Sequence, residues 1–400
     1  MSDPILITGA GVVTPIGQDL DSFWAGLVTG LSGISEIERF PVQDLRVTRG
    51  GEVKKLLRAP AVQSREDEGW PDCRASRFLV HAAMEALDTA GLQTGLPSPA
   101  RVGVVIGTAL GGIDDAERAV RGEGGLRRLA GSLYDGPTRD LARWLGARGP
   151  VLAVSTACAS GATSLGLGAD LLRDGRADVV LAGGVDVLCR FVQRGFNVLR
   201  SLTRDLVRPF DRRRNGLLLG EGAGVVVLER APDAEARGHR LGLGRLLGHG
   251  SAADGVHVTA PDPEGRGLEV AIRMALREAD LVPEAVDLVS AHGTGTPAND
   301  RVETEVLKRV LGRRAHAVPV NSIKAHLGHT MGAAATLEAI MCLLAARHGL
   351  VPPTLHYGEP DSDCDLDYVP NVARRLRPKV ALSTSLGFGG CNAALVLGAP

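Results

Sequence analysis

The strongest constraint on the fold is a pattern that occurs twice along the chain. Residues 153–172 (AVSTACASGATSLGLGADLL) and 320–340 (VNSIKAHLGHTMGAAATLEAI) each have the pattern of a strand, a loop with reactive side chains, and an apolar helix rich in small residues. Each helix is nearly uncharged on every side, so we expect both to be buried rather than to lie on a surface. The repetition predicts a duplicated α/β unit with two central helices between sheets.

Short apolar runs of strand character alternate with helical patterns along the whole chain. Residues 5–13 (ILITGAGVV) and 222–229 (GAGVVVLE) are examples, because they lack any regular alternation of polar and apolar positions. Such strands are covered on both faces, as in α/β proteins. A chain of 400 residues is also long for one simple core. We expect a boundary within the glycine-rich residues 240–255, interpreted as a loop, which divides the chain into halves 1–245 and 246–400.

The composition excludes several classes of function. The formal net charge is -1 at pH 7, so no overall field attracts nucleic acid or a membrane surface. The 6 cysteines form no CxxC pair and no secreted disulfide pattern, which favours the reducing cytoplasm. The longest low-charge run, residues 330–346, is short for a membrane span and carries Glu338. Three polar stretches, 40–75, 118–140 and 204–216, are expected to be surface loops.

Cys158 stands where the first of the two repeated strands ends and its helix begins. A free cysteine is usually a small buried hydrophobe, but Ala159, Ser160 and Gly161 leave open space around this sulfur. The unpaired N–H groups of a helix N-terminus favour a thiolate and lower the pKa of a cysteine placed there. We therefore interpret Cys158 as a nucleophile whose thiol has a lowered pKa.

Two histidines occupy comparable places in the sequence. His292 follows a strand in AHGTGTPAND, and His329 precedes the second apolar helix in KAHLGHTMGAA. Ligands bind at the carboxyl ends of strands in such sheets, so these loops and that of Cys158 indicate one active site. The same three side chains could instead be zinc ligands. The sequence has no short-spaced ligand pair to support zinc, and a metal-free site is the favoured interpretation.

A lysine, a glutamate and a glycine-rich segment accompany these residues. Lysine is rare in this arginine-rich chain, and Lys324 indicates that a compact ammonium group is needed beside the site. Glu338 is a lone charge in its apolar helix and needs a partner, for which Lys324 is the candidate. The GFGG segment at 387–390 is either a tight turn or a loop whose backbone N–H faces an oxyanion, with Phe388 as a movable cover.

Taken together, the motifs TACASG, AHGTGTPANDRVE, KAHLGHTMGAA and GFGGCN resemble those of the β-ketoacyl-(acyl-carrier-protein) synthases, the condensing enzymes of fatty acid and polyketide synthesis. The resemblance covers nearly the whole chain, and the two histidines fit the elongating type. It implies a thiolase-like α/β fold, an αβαβα five-layered sandwich made of two duplicated halves and assembled as a homodimer. It also implies that malonyl-carrier protein loses carbon dioxide and attacks an acyl thioester on Cys158, with acyl carrier protein as partner and no cofactor.

The resemblance assigns roles to individual residues. Cys158 looks like the acyl-accepting nucleophile, and its backbone N–H and that of Phe388 look like the oxyanion hole, with Phe388 as the gate. His292 and His329 look like the pair that acts on the malonyl group. The remaining matches are a supporting ion pair of Lys324 and Glu338, the acidic Glu303 grouped with the substrate contacts, the pantetheine contacts Thr294 and Thr296, and the acyl-pocket positions Leu110 and Phe196.

Two alternatives remain open at this stage. One is a non-catalytic partner subunit that sets chain length within a heterodimer, although the presence of the cysteine and both histidines argues against it. The other is a condensing enzyme of the thiolase type that uses coenzyme A. The segments 112–149 and 202–209 are shorter than is usual in the resembled family. The sequence therefore leaves open the acyl chain length, the pathway, and the choice between a homodimer and a heterodimer.

Overall fold

The computed structural model describes residues 4–56, 73–123, 125–239 and 242–400. The strands of these residues are β1 (Ile5–Val13), β2 (Ile34–Glu36), β3 (Arg49–Gly51), β4 (Val102–Gly107), β5 (Val151–Val154), β6 (Val179–Asp186), β7 (Gly222–Arg230), β8 (Gly244–Ala253), β9 (Leu288–Ser290), β10 (Val320–Asn321), β11 (Leu350–Val351), β12 (Arg374–Arg375), β13 (Val380–Gly387) and β14 (Cys391–Gly398). The α-helices are α1 (Leu20–Thr29), α2 (Arg74–Thr89), α3 (Ile113–Val120), α4 (Gly125–Gly131), α5 (Gly136–Leu145), α6 (Ser160–Arg173), α7 (Arg190–Val198), α8 (Ala231–Ala236), α9 (Arg266–Glu278), α10 (Pro297–Leu311), α11 (Lys324–Leu327) and α12 (Ala334–His348).

The main sheet repeats one topology. Its strand order is β10-β9-β13-β14-β8-β1-β7-β6-β4-β5, so β5-β4-β6-β7-β1 in one half corresponds to β10-β9-β13-β14-β8 in the other. In each half the two outer pairings are parallel and the two inner pairings are antiparallel. Strands β1 and β8 pair antiparallel and join the halves. The predicted duplication is confirmed, although the two sheets are continuous through this central pairing.

Two central helices separate the halves of the sheet. Helices α6 and α12 contact each other, and each packs against strands of both halves. On the outer faces, α2 covers β1 and β7, whereas α9 covers β8 and β14. This arrangement gives the five layers of the predicted αβαβα sandwich and explains why the strands are apolar on both faces.

The apolar helix α12 is buried within the protein. Every residue from Ala334 to Ala346 is buried, including Glu338. Within the described ranges, no helix combines the length and the apolar character that crossing a membrane requires.

Two of the expected loops are regular secondary structure. Residues 244–253, interpreted as a loop because of their glycines, form the central strand β8. A Cβ at Gly248 or Gly250 would lie within 2.3 Å of a carbonyl oxygen of α9, so these glycines permit close packing of the helix on the strand. Much of the 118–140 stretch belongs to α4 and α5, and a 2.7 Å ion pair between Asp115 and Arg128 ties α4 to α3.

Candidate active site

Three strand-end segments bring a cysteine and two histidines into contact. Cys158 lies in a short turn between β5 and α6, His292 follows β9, and His329 lies between α11 and α12. The Cys158 Sγ is 3.0 Å from the His329 Nε2. The ring centroids of His292 and His329 are 5.2 Å apart, with the rings nearly perpendicular at 85°. All three residues are buried, so the structure brings them together in the interior of the protein.

The turn that carries Cys158 is held by local hydrogen bonds and by a close glycine. The Ser160 hydroxyl accepts the Thr156 N–H at 2.9 Å and donates to the Ala157 carbonyl at 2.6 Å. Ala157 has a φ of 50°, a left-handed conformation that costs energy for a residue with a Cβ. A Cβ at position 387 would lie 3.1 Å from the Cys158 nitrogen, so Gly387 allows the GFGG segment to approach the nucleophile.

The thiol of Cys158 is protonated in the resting enzyme. Burial raises the pKa of Cys158 to about 12, even though the Lys324 ammonium and the Phe388 backbone N–H both act to lower it. The expectation of a lowered pKa from the helix N-terminus is therefore wrong, because desolvation of the thiolate outweighs the favourable dipole. In the tautomer of His329 that carries its proton on Nδ1, a protonated Cys158 donates its S–H to the Nε2 at 3.0 Å.

Both imidazoles are neutral at pH 7. Burial, reinforced by the positive charge of Lys324, holds the pKa of His292 and of His329 well below the usual value. A neutral imidazole has one N–H donor and one acceptor nitrogen. The Nδ1 atoms of both rings are buried without a hydrogen-bond partner among the described residues. The pair can therefore accept a proton from a thiol and also donate to an oxygen that develops negative charge.

Lys324 and Glu338 form a buried ion pair beside the histidines. The Lys324 Nζ is 2.5 Å from the Glu338 Oε1, and the two side chains are 2% and 1% exposed. Burial raises the pKa of Glu338, and the Lys324 ammonium opposes this effect. The pairing inferred from a lone charge in an apolar helix is present in the structure. Its ammonium group acts on the site by keeping the imidazoles neutral.

Phe388 lies between the nucleophile and the predicted acyl-binding residues. Its ring stacks on Phe196, with ring centroids 5.7 Å apart and an angle of 17° between the planes. Its backbone N–H lies close enough to the Cys158 thiol to act to lower the pKa of that thiol. Phe196 and Leu110 are half-buried and pack against a single hydrophobic cluster that includes Met331. Phe196 therefore contacts Phe388 and packs against the same hydrophobic cluster as Leu110.

Thr296 lies near the protein surface beside Thr294, whereas Glu303 is enclosed in the interior. The Thr294 and Thr296 hydroxyls are 2.9 Å apart, and the half-buried Thr296 immediately precedes the exposed start of α10. Glu303 is fully buried, and its carboxylate accepts the backbone N–H groups of His292 and Gly293 at 2.7 and 2.8 Å and the Thr384 hydroxyl at 2.7 Å. Grouping Glu303 with the substrate contacts is therefore wrong, because its carboxylate positions the backbone of His292.

Asp300 joins two loops near the site, a role that the sequence does not indicate. Its buried carboxylate accepts the N–H of Gly295 at 3.2 Å and that of Phe210 at 2.7 Å, which joins the threonine loop to residues 204–216. Asp300 lies within the quoted motif AHGTGTPANDRVE, but nothing in its spacing separates it from a solvated acid. Its distant partner Phe210 becomes visible only in three dimensions.

The zinc alternative is compatible with distances but not with the surrounding charge. Ligand atoms of Cys158, His292 and His329 lie within 4.8 Å of one another, which is suitable for a three-ligand zinc site. The same pocket faces the Lys324 ammonium, whose field already disfavours a positive charge on either imidazole. A dication would meet a stronger repulsion. The arrangement suits a thiol nucleophile with two neutral imidazoles better than it suits a metal.

Comparison with known proteins identifies the family to which the chain is similar. The Beta-ketoacyl synthase N-terminal domain family matches residues 2–234, and the corresponding C-terminal domain family matches residues 243–358. The ketoacyl synthase alpha subunit of the tetracenomycin polyketide synthase of Streptomyces glaucescens is 40% identical over 99% of this chain and 97% of its own length. The 3-oxoacyl-(acyl-carrier-protein) synthase 2 of a Synechocystis species is 36% identical over 98% of this chain and 97% of its own.

A solved structure of a related protein has the same fold as this chain. The ishigamide ketosynthase/chain length factor superposes with a TM-score of 0.91 at 36% identity, covering 100% of both chains. The duplicated sandwich and the buried thiol with two imidazoles define a condensing enzyme of the acyltransferase class. The chain belongs to the β-ketoacyl synthase family.

Proposed function

We propose that this enzyme joins a malonyl unit to an acyl chain held as a thioester on Cys158, releasing carbon dioxide and forming a β-ketoacyl product. The observation that carries the proposal is the 3.0 Å contact between the Cys158 thiol and a neutral imidazole in a buried pocket. In this assignment residues 1–245 supply the nucleophile and residues 246–400 supply both histidines. The six free cysteines are consistent with a reducing cytoplasm.

The first half-reaction loads the acyl chain. As the Cys158 sulfur attacks the thioester carbonyl of the donor, its proton passes to the His329 Nε2. The backbone N–H groups of Cys158 and Phe388 stabilise the oxyanion of the tetrahedral intermediate. The intermediate then expels the thiolate of the donor, which takes up the proton from His329. A new thioester on Cys158 and a free carrier thiol result, and no redox cofactor is consumed.

The second half-reaction uses both imidazoles. Malonyl thioester binds with its thioester carbonyl oxygen near His292 and His329, whose N–H groups stabilise the enolate formed as carbon dioxide leaves. The enolate carbon attacks the acyl carbonyl on Cys158, and the tetrahedral intermediate expels the Cys158 thiolate. That thiolate takes up one proton from solvent, which is the net proton that the decarboxylative condensation consumes. Because the imidazoles are neutral, they can donate these hydrogen bonds without a metal ion.

We assign the substrates to acyl carrier protein and the assembly to a dimer. The name of the Synechocystis relative includes an acyl carrier protein, which supports carrier-bound substrates. Strand β5 ends the sheet of the described residues, and its Val151 and Leu152 are 37% and 40% exposed. An apolar edge strand of this kind requires cover. A second copy of this chain, or a chain length factor such as the one paired with the ishigamide ketosynthase, would provide it.

A loading experiment tests the proposal and separates it from the coenzyme A alternative. Wild-type enzyme is incubated with matched acyl-carrier-protein and acyl-coenzyme A donors, and the peptide containing Cys158 is analysed by mass spectrometry. We expect an acyl mass on Cys158 and faster loading from the carrier. Equal turnover with both donors would overturn the assignment of acyl carrier protein as the donor. The absence of any acyl mass on Cys158 would overturn the proposed condensing activity and would favour a non-catalytic subunit.

Replacing Phe388 with alanine is expected to change acyl transfer without removing the oxyanion hole, because the backbone N–H of residue 388 is retained. Loss of the ring that stacks on Phe196 opens the pocket to water and weakens control of acyl entry. Quenched time courses of acyl transfer should show a changed rate of Cys158 loading and faster hydrolysis of the acyl-enzyme. Phe191→Ala is a suitable control, because that ring is 60% exposed on α7. Wild-type loading kinetics in Phe388→Ala would remove the gating role.

Metal removal is expected to leave condensation unaffected. The proposed chemistry needs a thiol and two neutral imidazoles, and these remain after exhaustive treatment with a chelator. Added Zn²⁺ should not raise turnover, because the Lys324 ammonium disfavours a further cation beside the two imidazoles. Turnover rates before and after dialysis against chelator, with metal content measured in parallel, provide the comparison. A chelated enzyme that regains activity on addition of zinc would contradict the metal-free mechanism.

A further inference from the structure

The carboxylate of Asp186 is a fully buried junction that the catalytic steps above do not use. Asp186 is the last residue of β6 and is 0% exposed. Its Oδ1 accepts the Thr108 hydroxyl at 2.9 Å and the Leu110 N–H at 3.1 Å. Its Oδ2 accepts the Ala109 N–H at 2.8 Å and the Gly332 N–H at 2.6 Å. Four donors from two separate segments therefore converge on one side chain.

Both of these segments border the candidate active site. The loop 108–111 follows β4 and carries Leu110, one of the half-buried residues on the acyl side of the pocket. The turn 331–333 begins two residues after His329 and leads directly into α12. The two segments are in close contact, since a Cβ at Gly332 would lie 2.7 Å from the Thr108 Cα. Asp186 fastens the loop of the acyl pocket to the turn that follows His329.

We infer that Asp186 is a positioning residue that fixes the distance between Leu110 and the His329 turn and thereby sets which acyl chains the enzyme accepts. The inference rests on the proposed function, because it concerns the same acyl pocket. Asp186 touches no reacting atom in this assignment. It acts through the loop 108–111, from which it accepts the backbone N–H groups of Ala109 and Leu110 and the side-chain hydroxyl of Thr108.

The chemistry of the junction requires a carboxylate. An ionised carboxylate accepts at both oxygens and has no proton to donate, which matches four incoming donors. Burial raises the pKa of Asp186 to about 6, and the four hydrogen bonds counteract this effect by favouring the charged form. In Asp186→Asn, the amide NH₂ would face two donors in either orientation, so two of the four hydrogen bonds are lost and the connection between the loop and the turn is weakened.

The ratio of kcat/KM for long and short acyl donors distinguishes a role of Asp186 in positioning from a role in stability. Partial unfolding lowers the turnover of every substrate by the same factor, so the ratio of kcat/KM for long and short acyl donors is unchanged. A displaced Leu110 changes that ratio, because it alters the space for one chain length more than for another. Small displacements near reacting groups change rates by about 10²-fold, and we expect a change in the ratio of about tenfold.

The experiment compares two variants with a matched control in the full-length enzyme. Asp186→Asn removes one side of the junction, and Thr108→Val removes one of its four hydrogen bonds while keeping the side-chain volume. The control is Asp178→Asn, which lies just before the same strand at its opposite end and bonds to Arg101 and Arg230. Acyl-carrier donors of graded length are assayed, and the melting temperature of each protein is recorded.

The expected result is a shifted chain-length ratio in Asp186→Asn, a smaller shift of the same sign in Thr108→Val, and an unchanged ratio in Asp178→Asn. A wild-type ratio in both junction variants would overturn the inference, whatever their melting temperatures. If Asp186→Asn does not fold, Thr108→Val decides by the same criterion. A wild-type enzyme that fails to load Cys158 at all would instead refute the proposed function, so the two failures are distinguishable.

Discussion

Cys158→Ala is expected to abolish condensation and acyl loading while leaving carbon dioxide release from malonyl-carrier protein measurable. The nucleophile is lost, and removal of a covalent catalyst costs more than about a thousandfold in turnover. The two imidazoles and the Lys324–Glu338 pair remain, so the groups assigned to stabilise the enolate are intact. Parallel assays of β-ketoacyl product and of released carbon dioxide provide the measurement.

A matched cysteine variant controls for loss of a buried thiol. Cys73 is buried at the start of α2 and belongs to the hydrophobic cluster on the outer side of the sheet. Cys73→Ala should condense at the wild-type rate when compared at equal folded concentration. An acyl mass on Cys158→Ala protein, or condensation by that variant, would show that another group is the nucleophile.

His292→Ala and His329→Ala are each expected to lower malonyl decarboxylation by about 10²- to 10³-fold, the usual cost of one lost donor to a developing oxyanion. Their effects on acyl loading should differ from each other. His329 contacts the Cys158 sulfur at 3.0 Å, whereas the described contact of His292 is with the His329 ring. His329→Ala should therefore slow loading of Cys158 more than His292→Ala does.

Loading and decarboxylation must be measured separately to test this assignment. Intact-mass kinetics follow the acyl-enzyme, and trapped carbon dioxide follows decarboxylation. His257→Ala is a control, because that histidine bonds locally to the backbone of Thr259 and Ala260 at the surface. Normal carbon dioxide release from both active-site variants would remove the histidines from the second half-reaction.

The sequence predicted the parts of the site that depend on local pattern. Cys158 and His292 each lie where a strand gives way to a loop of small residues, and such ends meet at one edge of a sheet. His329 follows the short helix α11 and precedes the second apolar helix, as the repeated pattern predicts. The pairing of Lys324 with Glu338 followed from a charge inside an apolar helix, which must have a partner. Duplication followed from two helices that were too apolar for a surface.

Properties set by distant contacts were not accessible from the sequence. The thiol pKa of Cys158 depends on enclosure by segments that are far apart in the chain, and burial outweighs the helix terminus beside it. The glycines of β8 had the pattern of a loop, but they are needed because α9 packs closely on that strand. Asp186 resembled the ordinary end of a strand, since its four donors come from residues 75 or more positions away.

The division of the site between the two halves of the chain has a consequence for biosynthesis. A ribosome releases the segment with Cys158 long before it completes the segments with His292 and His329. The nascent thiol consequently lacks its proton acceptor until the last strands have joined the sheet. Acyl transfer to Cys158 that is assisted by His329 therefore begins only when both halves of the chain have been synthesised and have folded together.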